Sequence, residues 1–430
     1  MTVVGANGTM GYSVSGVFAS FGNCKVYMVA RRKEAADEAV LKAAGTVKAD
    51  SVSKRLIAKT YEDLAEIIPE SDLVFESVAE NIELKKEINE KIEKYAKDDL
   101  IVATGTSGLS IEELSKTYQG NIRKHYTGTH FFNPPYNLTL CEVIPTSETD
   151  MAWLAEYKEY LAKVLRRSVV QIKDEAGFLG NRIGFQLMNE ALQYAEQYKA
   201  KGGMDYIDAI LGQFSGRSMP PIVTADFVGL DVHKAIVDNL YNKTNDYAHE
   251  TFVLPGYVQE LIDQGKLGVK SGEGLYKTVK NADGSKTRQV YDIATKQFRD
   301  VKKYDLPFAD NMVKNLQVGK YAEAFAGLKA DKSEDAQLCL TFLLKYILYS
   351  LVTATEVAQT VNDADVCMVT GFNWAPPIGV MEALGGAQEV KGLIKEKIDK
   401  DWLAKINLDA IFDKDMKSDY DFRKFFKAKR

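Results

Sequence analysis

The sequence is poor in the residues that build metal centres and covalent frameworks. Among 430 residues there are only four cysteines and four histidines. Cys24, Cys141, Cys339 and Cys367 lie far apart, form no CxxC pair and cluster with no histidine. That spacing argues against a metal site or a disulfide scaffold and suits a reducing, cytoplasmic setting. Basic residues are not in excess either. The formal net charge is −5, so the electrostatic footprint of a nucleic-acid binder is missing. No apolar run reads as long enough to span a bilayer. A secretory leader is not expected at the start, because Gly5-Ala6-Asn7-Gly8 comes almost at once. The first strand before those glycines is only Thr2-Val3-Val4, which leads us to expect a few native residues ahead of Met1. What remains, 46% hydrophobic and 27% charged, is the composition of a globular protein with two to three cores.

Up to about residue 172, short apolar segments alternate with helical ones. Residues 26–29, 73–76 and 100–103 read as buried parallel strands, and residues 82–97 as a helix rich in Glu, Lys, Ile and Leu. This alternation predicts a doubly wound, mostly parallel sheet. After Asp174 helical stretches dominate, beginning with residues 181–199. Two later segments resemble each other. Met219-Pro220-Pro221-Ile222 and Ala375-Pro376-Pro377-Ile378 each follow an Asp-containing helical stretch, at 204–208 and 362–365, and each is followed by an acidic residue and a glycine. Such self-similarity predicts a duplicated helical domain. Asn281-Ala282-Asp283-Gly284 is a turn signal and predicts a small hairpin between the copies. The expected fold is therefore α/β: a Rossmann domain over 1–173, followed by all-α domains at 174–280 and 331–430, with a hairpin and connector at 281–330.

Gly5-Ala6-Asn7-Gly8-Thr9-Met10-Gly11 follows the first strand and precedes an apolar-faced stretch, Ser13 to Phe21. A tight turn needs positive φ, the backbone must approach a pyrophosphate with no Cβ in the way, and the following helix offers free N–H groups. Strand, loop and helix in that order point to dinucleotide binding through Gly5, Gly8, Thr9, Met10 and Gly11. The tip of the second strand reads Val29-Ala30-Arg31-Arg32-Lys33, with no acid to take a ribose 2′-hydroxyl. Arg31 and Arg32 are placed to meet a 2′-phosphate instead, so NADP is favoured over NAD.

Oxidising an alcohol needs a base for the hydroxyl proton, and histidine titrates near working pH. His130 lies in Thr129-His130-Phe131-Phe132-Asn133-Pro134-Pro135, and Glu142 in Leu140-Cys141-Glu142-Val143-Ile144. A hairpin turning at the prolines would pair them, the carboxylate fixing the imidazole tautomer. The alternative is a packed histidine beside Phe131 and Phe132. Ser107, in a loop after the strand ending at Ala103, and Asn181, in Gly177-Phe178-Leu179-Gly180-Asn181-Arg182, complete the set of candidates.

At these residues the chain resembles the 3-hydroxyacyl-CoA dehydrogenase family. The resemblance covers 1 to about 277, with a second copy of the C-terminal domain over about 331–430. It is carried by Gly8-Thr9-Met10-Gly11, by residues 72–78 with Glu80 and Leu84-Lys85-Lys86, and by His130-Phe131-Phe132-Asn133-Pro134. Glu142-Val143-Ile144, Gly177-Phe178 with Asn181-Arg182, residues 226–231 and residues 270–276 follow in family order. The resemblance implies that His130 is the base and Glu142 its orienting acid, with Ser107 and Asn181 on the substrate oxygens. It also implies that Glu80, Lys85, Asn133 and Lys270 stand near the cofactor and that the substrate is a (3S)-3-hydroxyacyl-CoA, while charge and apolar run length leave neither nucleic acid nor membrane as an expected partner. The first helical domain would be of the substrate-binding and dimerising type, and the second copy would leave a monomer or a homodimer.

Four departures bear on this. Asn7 is an extra residue in the glycine loop, the acid at the second strand tip is absent, and Gly105 and Gly108 replace Asn and Ser. The stretch from Arg32 to Thr60 is also shorter than the family's arm for gripping coenzyme A. The short arm leaves a free 3-hydroxy acid or sugar acid as an alternative substrate. The altered Ser107 loop leaves a catalytically silent dinucleotide-binding protein.

Overall fold

The computed structural model describes residues 1–413 and 415–429. The chain divides into two compact units. One is Met1–Phe178 with Val357–Gln359; the other is Leu179–Glu356 with Thr360–Arg430.

The first unit is built on an eight-stranded sheet in the order β3-β2-β1-β4-β5-β6-β7-β8. Its strands are β1 (Thr2–Val4), β2 (Val26–Ala30), β3 (Leu56–Thr60), β4 (Leu73–Glu76), β5 (Ile101–Thr104), β6 (Tyr126–Phe131), β7 (Leu140–Ile144) and β8 (Ser168–Gln171). All pairs are parallel except β6 with β7. The inner strands are apolar runs because helices cover both faces, and Val3, Met28, Val74, Phe75 and Val102 are fully buried. The strand order reverses between β1 and β4, so a crevice opens at their carboxyl ends. Helix Ile82–Glu93 ends earlier than its composition suggests. There the Tyr95 amide bonds the Ile92 carbonyl and tightens the chain out of α geometry. Between β2 and β3 the chain forms only helix Lys33–Val47 and the single turn Asp50–Ser53, in keeping with the short stretch read from sequence.

The second unit is mostly helical around Gly180–Gln197. The predicted turn is present, with Gly284 at φ +83° and its amide bonded to the Asn281 carbonyl. A third strand joins the expected hairpin: β9 (Tyr276–Lys280), β10 (Lys286–Asp292) and β11 (Gln297–Asp300) form an antiparallel sheet. The two Pro-Pro segments share one device. Asp208 accepts from the amides of Ile222 and Val223 at the start of helix Pro221–Val228. Asp365 accepts from the amide of Ile378 at the start of helix Pro377–Ala383.

One expectation is corrected. Helix Glu334–Val357 is long and apolar enough to cross a membrane by length and composition, with a mean hydropathy of 1.6 over its most apolar window. It is an interior helix, because 83% of that window is buried within the protein.

Candidate active site

The glycine loop is a turn closed by its own backbone. The amides of Gly5 and Ala6 both donate to the Val29 carbonyl, and the Gly8 amide donates to the Gly5 carbonyl. Gly5 has φ +82°, and a Cβ on Gly11 would stand 2.4 Å from the Gly5 carbonyl oxygen. The loop therefore tolerates no side chain at either position. Helix Thr9–Ser20 starts at Gly8 with no side chain capping it, which leaves amides of its first turn to a ligand. Asn7, the extra residue, is exposed and lines the cleft rather than filling it.

That cleft has a volume of about 1100 Å³. The loop forms one wall, Ser77–Ala79 beyond β4 another, and Arg31 and Arg32 stand at the tip of β2. A groove with free amides, small loop residues and cations at its far end fits a nicotinamide dinucleotide.

His130 and Glu142 face each other across the antiparallel pair β6–β7, where they are direct register partners. His130 Nδ1 lies 2.7 Å from Glu142 Oε2, and His130 Nε2 lies 3.1 Å from Ser107 Oγ. Glu142 is fully buried, and His130 is 5% exposed. The packed-histidine reading describes the surroundings as well: Phe132 and Phe178 present their edges to the imidazole at 4.7 and 5.4 Å between ring centres. The two descriptions coexist, because apolar walls strengthen the polar line Ser107–His130–Glu142.

Glu80 clamps the loop that carries Ser107. Its Oε1 accepts from Ser107 N at 2.9 Å and from Thr106 Oγ1 at 2.5 Å. Beneath it, Lys85 is buried and donates to both oxygens of Glu76, at 2.9 and 3.0 Å. Glu76 also accepts from Thr104 Oγ1 and the Val78 amide, so it joins the ends of β4 and β5. Gly105 is explained by Phe75: a Cβ there would come within 2.7 Å of its ring. Asn133 is exposed just beyond β6. Asn181 and Lys270 belong to the second unit. Asn181 is buried in the first turn of helix Gly180–Gln197, and Lys270 pairs with Asp231. Sequence reasoning passed over Glu76, Thr104 and Thr106. The acid at the end of the strand 73–76 was the available signal for Glu76, since an ionisable residue closing an apolar strand needs a partner.

Residues 1–175 match the family model described as 3-hydroxyacyl-CoA dehydrogenase, NAD binding domain, and residues 177–278 match that family's C-terminal domain. A Bacillus subtilis protein named probable 3-hydroxyacyl-CoA dehydrogenase is 32% identical over 79% of this chain, and the chain spans only 43% of that relative's length. The mitochondrial hydroxyacyl-coenzyme A dehydrogenase of Sus scrofa is 31% identical over 64% of this chain and 90% of its own. The solved 3-hydroxybutyryl-CoA dehydrogenase of Escherichia coli shares the fold over 94% of this chain and 96% of its own, with a TM-score of 0.69 at 21% identity.

Proposed function

The chain belongs to the 3-hydroxyacyl-CoA dehydrogenase family, and on that footing we propose that it interconverts a (3S)-3-hydroxyacyl-CoA and the 3-oxoacyl-CoA, with His130 as general base in one direction and general acid in the other. The observation that carries this reading is the line Ser107–His130–Glu142 on the same unit as the glycine loop. A bound nicotinamide supplies or accepts the hydride at C3. What the chain itself must do is move the hydroxyl proton and hold the oxygens. With its proton on Nδ1, donated to Glu142, His130 carries a lone pair on Nε2 and accepts the C3 hydroxyl proton there. The imidazolium formed is stabilised by the buried carboxylate of Glu142. In the reverse direction the same Nε2–H protonates the 3-oxygen. Ser107 Oγ, already at hydrogen-bond distance from Nε2, donates to that oxygen, and Asn181 is assigned to the thioester oxygen on the family's pattern.

We assign NADP over NAD, because Arg31 and Arg32 line the cleft at the β2 tip and the sequence carries no acid at residues 29–33. Glu80, Asn133 and Lys270 are kept on the cofactor side, whereas Lys85 supports the site from below through Glu76. No disulfide joins the four cysteines among the described residues, which fits action in the cytoplasm, and we keep a monomer or homodimer as the assembly. The short segment between β2 and β3 favours one second reading, a free 3-hydroxy acid as substrate.

The test follows reduced-nicotinamide absorbance with acetoacetyl-CoA and with the matched free acid, using NADPH and NADH. His130→Ala should lower kcat by roughly 10²–10⁴-fold with cofactor affinity kept. An equally active variant removes His130 as the base, and a preference for the free acid moves the assignment to the second reading.

A further inference from the structure

The cleft that takes the cofactor's adenosine end is charged in a way the family resemblance does not supply. Helix Ile82–Glu93 turns Leu84, Glu87, Ile88 and Lys91 toward it, the i, i+3, i+4, i+7 stripe of one helical face. Arg31 and Arg32 line the same cleft. The lining thus holds three cations and one carboxylate, Glu87. A 2′-phosphate carries about −1.5 to −2 at neutral pH, which matches that surplus.

Arg31 and Lys91 act on a common point. Lys91 Nζ is 2.6 Å from Glu87 Oε1 and stands 5.9 Å above the centre of the Tyr61 ring. Lys91 and, to a lesser degree, Arg31 hold the Glu87 carboxyl below its usual range, so the fields of both cations converge on one acid. Both partners of the Lys91–Glu87 pair are about half exposed, at 47% and 59%, so the ammonium is free to exchange one anionic partner for another at little cost.

We infer that Arg31 and Lys91 are the two sides of a clamp for the 2′-phosphate of adenosine, and that Glu87 is the placeholder the phosphate displaces. Arg31 offers a planar fork, and Lys91 a compact charge that swings in from the helix face. Tyr61 supports the Lys91 side chain from beneath. This rests on the NADP reading above and adds Lys91 and Glu87 as determinants of cofactor choice.

Calorimetric titration of the full chain with 2′,5′-ADP and with 5′-AMP separates the two claims without using activity. The wild type should bind 2′,5′-ADP at least about tenfold tighter than 5′-AMP, the value of one charged hydrogen bond. Lys91→Met should remove about tenfold of 2′,5′-ADP affinity and leave 5′-AMP within twofold. Glu87→Gln should strengthen 2′,5′-ADP selectively. Equal affinities for the two nucleotides in the wild type would overturn the NADP reading and the clamp with it. A wild-type preference that survives in Lys91→Met overturns the clamp alone. Selective loss of 5′-AMP binding in Glu87→Gln would mean that Glu87 takes ribose hydroxyls, and that also overturns it.

Discussion

At the scale of single residues, Glu142 carries the sharpest consequence. It is fully buried with its Oε2 2.7 Å from His130 Nδ1, so the role proposed for it runs through the imidazole. A carboxylate there fixes Nδ1–H and stabilises the positive ring, whereas an amide keeps the shape and loses the charge. Glu142→Gln should therefore lower kcat by on the order of 10²–10⁴ while substrate KM changes little. Full activity in this variant would leave His130 packed and polar but not catalytic. The sequence held these residues in plain view, since a histidine and an acid flanking a Pro-Pro turn can pair only if two strands meet there. It did not hold Glu87 or Lys91. Their meaning depends on which helical face looks into a cleft, and that is decided by strand order rather than by spacing.

At the scale of elements, the buried pair Lys85–Glu76 ties helix Ile82–Glu93 to the ends of β4 and β5. Removing one partner strands a charge away from water, and the cost of that is usually larger than the worth of the pair. Lys85→Ala should destabilise by about 3–5 kcal/mol in chemical denaturation, with 5′-AMP affinity nearly unchanged. A large loss of nucleotide affinity at normal stability would instead return Lys85 to the cofactor. The helix-capping aspartates give an element-scale pH effect. Burial pushes Asp208 and Asp365 up to about 7. Both folded values lie above the unfolded one, so the folded chain binds more protons between roughly pH 4 and 7. Their contribution is present at the acid end of that window and is lost as pH rises through about 7. Melting at a series of pH values should show a slope that flattens in Asp208→Asn; an identical slope would mean that Asp208 does not titrate there. The sequence read these two acids as a repeat and the strands 73–76 and 26–29 almost to the residue. It passed over β3 and β8, whose partly exposed residues lack a strong apolar run.

At the scale of the whole molecule, the question is why residues 331–430 are present. The relative from Sus scrofa aligns over only 64% of this chain, and the match to the family's C-terminal domain ends at residue 278. Within the second unit residues 331–430 cover helix Gly180–Gln197. A Cβ on Gly184 would strike the Phe372 ring at 2.3 Å, and Tyr194 packs on Phe342 at 4.9 Å. Arg182 donates to Tyr349, Asp246 and Glu356, and Lys345 pairs with Glu190. Arg217 lies between the rings of Tyr346 and Trp374, at 5.0 and 5.2 Å, and its backbone bridges Trp374. A helix buried on every side needs partners on every side. Deleting 331–430 takes the ring partners from Gly184 and Tyr194 and opens an apolar stripe that water tolerates poorly. The truncated chain should then pair with a second copy or aggregate, and light scattering should report at least twice the mass expected per chain. Unchanged solubility and an unchanged mass per chain would show that the stripe needs no cover, and the covering role of the C-terminal segment would be lost with it.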